Sequence, residues 1–214
     1  VAPDNSWSAC QFTSDTVGAL SVRIGGYVLD GDGAAEVAAL TRAIGREPAT
    51  AKVESAPHVQ LLRDRAAGAA RGTHVIGSEI FRGTVPPDGV NALLTVVQAR
   101  AASRRPGLAK LKRMTGAPAR VPAGDNAFPW HGASSMLQWL VDLPNADPAS
   151  VADGYGWIES GHRAVAPWSS GRYVNYLEPG PTDPARYHGA HLERLRRLQA
   201  ATDPNGLFRV PYAL

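Results

Sequence analysis

Hydrophobic and polar positions alternate with period two in six stretches of this chain. Between those stretches they recur at helical spacing. Alternation marks strands whose two faces meet different surroundings, and apolar residues three or four apart mark helices with one buried stripe. Residues 6–13 and 19–29 read as two strands joined by a polar turn. In the first, Trp7, Ala9 and Gln11 share one face and Ser8, Cys10 and Phe12 the other; in the second, Leu20, Val22 and Ile24 alternate with Ser21 and Arg23. Residues 73–82 predict a strand with His74, Ile76, Ser78 and Ile80 on one face and Val75, Gly77, Glu79 and Phe81 on the other. Residues 108–114 set Lys110 and Lys112 against Leu111 and Arg113. Residues 134–143 set Met136, Gln138, Leu140 and Asp142 against Leu137, Trp139 and Val141. A sixth strand is expected over 173–177, which is rich in aromatic and β-branched residues; alternation puts Tyr173 and Asn175 on one face, Val174 and Tyr176 on the other.

The helical segments carry their own punctuation. Asp32 is placed to cap a helix running to about Ile44, with Val37, Leu40 and Ile44 as its stripe, before Gly45 and Pro48 end it. Pro57 opens a short helix in which Val59, Leu62 and Ala66 share a face. Residues 88–102 predict a helix buried through Val90, Leu93, Leu94 and Val97. Another starts at Pro148 and runs to about Ala166, with Val151, Tyr155, Ile158 and His162 in phase. The last opens at Pro184, with Tyr187, Leu192, Leu195 and Leu198 facing inward. Strands with one polar face, interleaved with four main helices, predict an α+β fold: a broad antiparallel sheet covered by helices on one face.

Composition narrows the classes without naming one. A chain of 214 residues suits one domain, or one and a fraction, and is long enough to bury a core. A net charge of +3 is too small to point to nucleic acid. The single cysteine, Cys10, excludes an internal disulfide and a cysteine metal cluster, and reads as a small buried apolar residue. No apolar run approaches the ~20 residues of a membrane span, so no membrane partner is expected; the compartment, cytoplasmic or secreted, stays open. The first residue is Val and not Met, which fits processing or a fragment. Asp30-Gly31-Asp32-Gly33 starts like a calcium loop but lacks the later Glu. His188 and His191, three apart, read as a surface pair and not as metal ligands. The most basic stretch, Arg104, Arg105, Lys110 and Lys112, reads as a solvated face.

Two motifs carry candidate chemistry. Tyr173-Val174-Asn175-Tyr176, an amphipathic helix, then Asp203-Pro204 and Phe208 form one; Ala119-Arg120-Val121-Pro122 leading to Phe128-Pro129 forms the other. From the residues alone, Asn175 either meets a ligand or ties down a neighbouring loop, because a buried amide needs partners for its donors and its acceptor. Together, in this order and spacing, the motifs resemble the C-terminal half of berberine bridge enzyme-like FAD-linked oxidases of the vanillyl-alcohol oxidase type. The resemblance runs from about Trp7 to Phe208.

That resemblance implies a substrate-binding domain over 1–170 and a C-terminal segment over 171–214 that returns toward an FAD domain. The free face of the sheet would cover flavin and substrate. The FAD domain itself would lie on a removed segment or a separate chain, since no glycine-rich pyrophosphate loop is present here. The implied function is oxidation of a small-molecule alcohol or activated C–H by hydride transfer to flavin. The implied roles are Tyr173 as base, with Tyr176 as fallback; Asn175 at the flavin; and Ser78, Gln138 and Arg120 at the substrate. A tyrosine base, with an ordinary pKa of ~10, requires a nearby cation, for which Lys110, Lys112 and Arg120 are candidates. Plant members carry a Glu base where this chain has Arg120, and the family's Phe-Pro-His-Arg reads Phe128-Pro129-Trp130-His131. The tail 210–214 lacks the family's polar ending, and Gly206 stands where an Asn is usual. Two alternatives stand beside this reading: a flavin-free derivative that binds or rearranges a small natural-product-like molecule, and a non-enzymatic interaction module.

Overall fold

The computed structural model describes residues 4–67, 71–180 and 183–208; the tail 210–214 lies outside them. Five strands, β1 (Ser6–Ser14), β2 (Leu20–Val28), β3 (Thr73–Phe81), β4 (Gly107–Arg113) and β5 (Ser135–Leu143), form one sheet in the order β2-β1-β4-β5-β3. Every pairing is antiparallel. The α+β architecture expected from the alternation is the one observed.

The register explains why each face has its character. Ala109, Leu137, Trp139, Val141, Val75 and Phe81 project together to one side. There they meet Leu93 and Val97 of α3 (Pro87–Ala102) and Trp157, Ile158 and Val165 of α4 (Pro148–Val165). Glycine allows the close approach: a Cβ on Gly161 of α4 would lie 2.6 Å from the Trp139 ring. Asp147 caps α4 by accepting the amides of Ala149 and Ser150. On the opposite, helix-free side, Ile80 and Met136 form a second, smaller cluster with Trp130 and Ala133. Lys110, Gln138 and Ser78 sit side by side across β4, β5 and β3 on that same side.

Helices α1 (Gly33–Ile44) and α2 (His58–Ala67) follow β2, as the capping and breaking residues predict. Asp32 accepts from Ala34 and Ala35 at the start of α1, and Gly45 closes it in the left-handed region. Yet α1 buries none of its residues, and Leu40 and Ile44 remain exposed. Val90 is likewise exposed, whereas Arg100 at the far end of α3 is buried over the Trp157 ring. The final helical region is broken into α5 (Ala185–His188), a 3-10 turn and α6 (Leu192–Thr202). Tyr187 and Leu192 are buried as expected, while Leu198 faces solvent.

The sixth strand is not formed. Residues Val174–Tyr176 make a single 3-10 turn, and among the described residues the segment pairs with the sheet in β fashion at one isolated bridge, Ile80 to Gly171. Aromatic and β-branched residues favour a strand only where a partner offers a continuous ladder. Here the chain turns away from β3 after two backbone bonds, Ser170 N–H to Ile80 O and Ile80 N–H to Gly171 O, each 2.8 Å.

Candidate active site on the helix-free face

The turn after Gly171 lies against the helix-free side of β3. Two contacts fix it there. Tyr173 N–H donates to Ser78 Oγ at 2.8 Å, and Trp130 Nε1–H donates to the Arg172 carbonyl at 2.8 Å. A Cβ on Gly171 would fall 2.1 Å from the Trp130 ring, so only glycine fits at this crossing. Trp130, which stands where the resemblance would have a His, packs its ring on Gly171 and holds the Arg172 carbonyl.

An open cleft of about 550 Å³ results, lined by Met114, Phe128, Met136, Tyr173, Asn175 and Tyr176 among others. Its walls are aromatic edges. Phe128 and Tyr173 meet edge-to-face at 6.0 Å, and Tyr173 and Tyr176 at 5.2 Å. The His131 ring holds the Phe128 loop, with Nδ1 3.0 Å from the Pro118 carbonyl and Nε2 2.9 Å from Asn126 Oδ1. The polar groups are few and converge. Asn175, itself exposed, donates through Nδ2 to the Tyr173 hydroxyl at 2.8 Å. Lys112 reaches across from β4 and donates through Nζ to the Tyr176 hydroxyl at 2.9 Å. Burial pushes the Lys112 ammonium down from its ordinary value and the Tyr176 phenol up. The lysine cation beside the phenol oxygen opposes the second effect.

The expected residues divide accordingly. Tyr173, Asn175 and Tyr176 come together at the cleft although no strand carries them; the tight turn brings Tyr176 to the side of Tyr173 and Asn175, where strand alternation would have separated it from them. Ser78 shares the sheet face with Gln138, but its hydroxyl is taken up in holding the Tyr173 amide, and neither residue is part of the cleft lining. Arg120 sits apart, in the 3-10 turn Ala117–Arg120, and pairs with Asp4 at 2.6 Å. Lys112 is the cation that meets a tyrosine, one of the three candidates read from the sequence. Among the described residues no group of three or more His, Cys, Asp or Glu is arranged to hold a metal ion. Nor is any described helix long and apolar enough to cross a membrane.

The described residues thus form an antiparallel sheet with helices on one face and an aromatic, tyrosine-bearing cleft on the other. Solved structures share this fold. A variant of the BBE-like 1 protein of Physcomitrella patens superposes with a TM-score of 0.78 at 16% identity, covering 99% of this chain and 47% of that one. The xylooligosaccharide oxidase of Myceliophthora thermophila, solved with xylobiose, gives 0.77 at 18% identity, over 96% and 47%. In sequence, the chain is 28% identical over 102 residues to the uncharacterized FAD-linked oxidoreductase YvdP of Bacillus subtilis, which is 46% of this chain and 22% of that protein. The chain therefore resembles berberine bridge enzyme-like FAD-linked oxidases and spans about half the length of the solved ones. No protein-family sequence model matches it.

Proposed function

We propose that this chain is the substrate-facing part of an FAD-dependent oxidoreductase that oxidises a small-molecule alcohol or activated C–H by hydride transfer to flavin. The observation that carries the reading is the contact of Lys112 with the Tyr176 hydroxyl, beside the Asn175–Tyr173 bond, at an apolar cleft on the helix-free face. The groups present suit the edge of a planar ring: aromatic walls, two phenols and an exposed amide. They do not suit a diphosphate, for which the sequence offers no glycine-rich cradle. The FAD would thus be held mainly by a domain other than this one, with Asn175 as the contact from this side.

Flavin, when bound, supplies the hydride acceptor. The chain's own residues handle the proton. Lys112 stabilises a phenolate at Tyr176 and so lowers the cost of using that oxygen as base. Tyr173 accepts a hydrogen bond from Asn175, which leaves its own O–H free to donate toward the cleft. We therefore place the base at Tyr176 and assign Tyr173 to orienting the substrate, reversing the order suggested by the sequence. Phe128, Met114 and Met136 exclude water from the reacting groups.

The test joins this chain to an FAD domain and follows flavin bleaching by rapid mixing. Tyr176→Phe is expected to slow reduction by ~10²–10⁴, the usual cost of losing a general base. Lys112→Met should lower it in the same direction and move the rising limb of the rate profile to higher pH, because a phenol without its cation ionises later. Loss confined to Tyr173→Phe returns the base to Tyr173. Full activity in every variant overturns the reading, and a folded chain that never associates with flavin supports the flavin-free alternative.

A further inference from the structure

On the helix side of the sheet, directly behind the cleft, lies a cluster of charges that the proposed chemistry does not use. The side chains of Glu79 of β3, His162 of α4 and Glu178 are 1%, 4% and 8% exposed. His162 Nδ1 stands 2.5 Å from Glu79 Oε1, and Nε2 stands 2.7 Å from Glu178 Oε2. A neutral imidazole has one N–H, so it can donate to one carboxylate only; two such contacts require the imidazolium. Gly77 makes the space: a Cβ there would lie 3.1 Å from His162 Nε2 and 3.1 Å from the Glu178 carboxyl carbon.

The remaining partners come from one stretch of chain. Arg186 donates to Glu79 at 2.9 Å, Ser169 Oγ bonds the same oxygen, and Arg172 lies 3.3 Å from Glu178 and 3.9 Å from Glu79. Tyr187 Oη accepts the Glu178 amide at 3.3 Å. Tyr155, Glu159, Arg163 and Asp183 line the groove that opens onto the cluster. Ser169, Arg172, Glu178, Arg186 and Tyr187 all belong to the segment that also carries Tyr173, Asn175 and Tyr176. β3 thus grips that segment from two sides, through Ser78 on the cleft face and Glu79 on the helix face.

We propose that His162 is a positioning residue whose imidazolium clamps Glu178 to Glu79, and that loss of its proton releases the segment carrying the cleft tyrosines. The inference deepens the proposed role of those tyrosines, but its readout needs no flavin. The direction of pH dependence follows from the surroundings. Burial pulls the His162 pKa down, the two carboxylates push it up, and the net direction is upward. A group raised in the folded state contributes fully below its ordinary value, and that contribution is lost as pH rises through the folded value.

The experiment is hydrogen exchange of the chain from about pH 6 to about pH 9.5, corrected for intrinsic rates, bracketing the ordinary histidine value of ~6.5. The amides of Ser170, Arg172, Tyr173 and Tyr176, each hydrogen-bonded in the structure, report the segment, and those of β5 report the sheet. In the wild type, the segment should lose about ten-fold protection with a midpoint above ~6.5 while β5 is unchanged. In His162→Gln the segment should exchange fast throughout, without a pH step. If that variant also loses β5 protection, Glu178→Gln decides: with one carboxylate gone, the midpoint should move to lower pH. A segment whose protection does not change with pH, or a midpoint unmoved in Glu178→Gln, overturns the proposal.

Discussion

The two flanks of the sheet are built from similar sequence and end up in different physical states. On the β3–β5 side, α3 and α4 press onto Trp139, Leu137 and Val75, and residues such as Val97, Ile158 and Val165 have no exposure at all. On the β2 side, α1 and α2 show equally regular apolar stripes, yet Leu40, Ile44, Val59 and Leu62 stay exposed, as do Val22 and Ile24 of the edge strand. Amphipathic spacing reports that a helix has an apolar face and not that another element covers it. Stability should therefore reside in one half of the molecule.

Substitutions graded across the two flanks test this. The largest effect is expected from Trp139→Ala, which empties the centre of the helix-covered core; urea denaturation should show a loss of about 3–5 kcal/mol. Gly77→Ala comes next. Its Cβ would lie 2.6 Å from Ile158 and close to His162 and Glu178, so overpacking should cost about 1–3 kcal/mol. The third comparison uses one chemistry at two sites. Asp147→Ala and Asp32→Ala each remove an N-cap carboxylate that accepts two amides. The first should lower the global urea midpoint measurably, because α4 is packed into the core. The second should leave the global midpoint nearly unmoved and raise exchange only within α1, because α1 is uncoupled from the core. The smallest effect, within about 0.5 kcal/mol, is expected for Leu40→Ala. A large global loss from either α1 variant would break the comparison.

The same contrast explains what could be read in advance. Five strands and the helices at 87–102 and 148–165 were legible from alternation or helical repeat; except in the exposed edge strand β2, that pattern meets a covered face, as Leu137, Trp139 and Val141 do. The sixth strand misled because Tyr173 and Val174 have strand-forming side chains but only a brief backbone contact at Gly171. The cleft tyrosines were legible as a motif, and their partner lysine only as one of three candidates, since Lys112 precedes Tyr176 by 64 residues. The charge cluster was missed altogether. His162 read only as a residue in phase with Val151, Tyr155 and Ile158 on its helix and Glu178 carried no signal, separated as they are from Glu79 by 83 residues in one case and 99 in the other. One sign was present: a carboxylate at 79 among Val75, Gly77 and Phe81 is out of place on an apolar face. A charge in a core-facing position asks for a counter-charge nearby.

Adjacent residues of a strand face opposite ways, so Ser78 and Glu79 are neighbours in the chain yet work in separate compartments of the molecule. This gives the β3–β5 pairing a strong preference for one register. Slipping β3 by one residue would turn Glu79 toward the cleft, take from Arg186 its carboxylate and from His162 one of its two, and drive Ser78 into the apolar layer. The cost of separating those charges disfavours the wrong alignment, at an edge strand where register is otherwise easiest to lose.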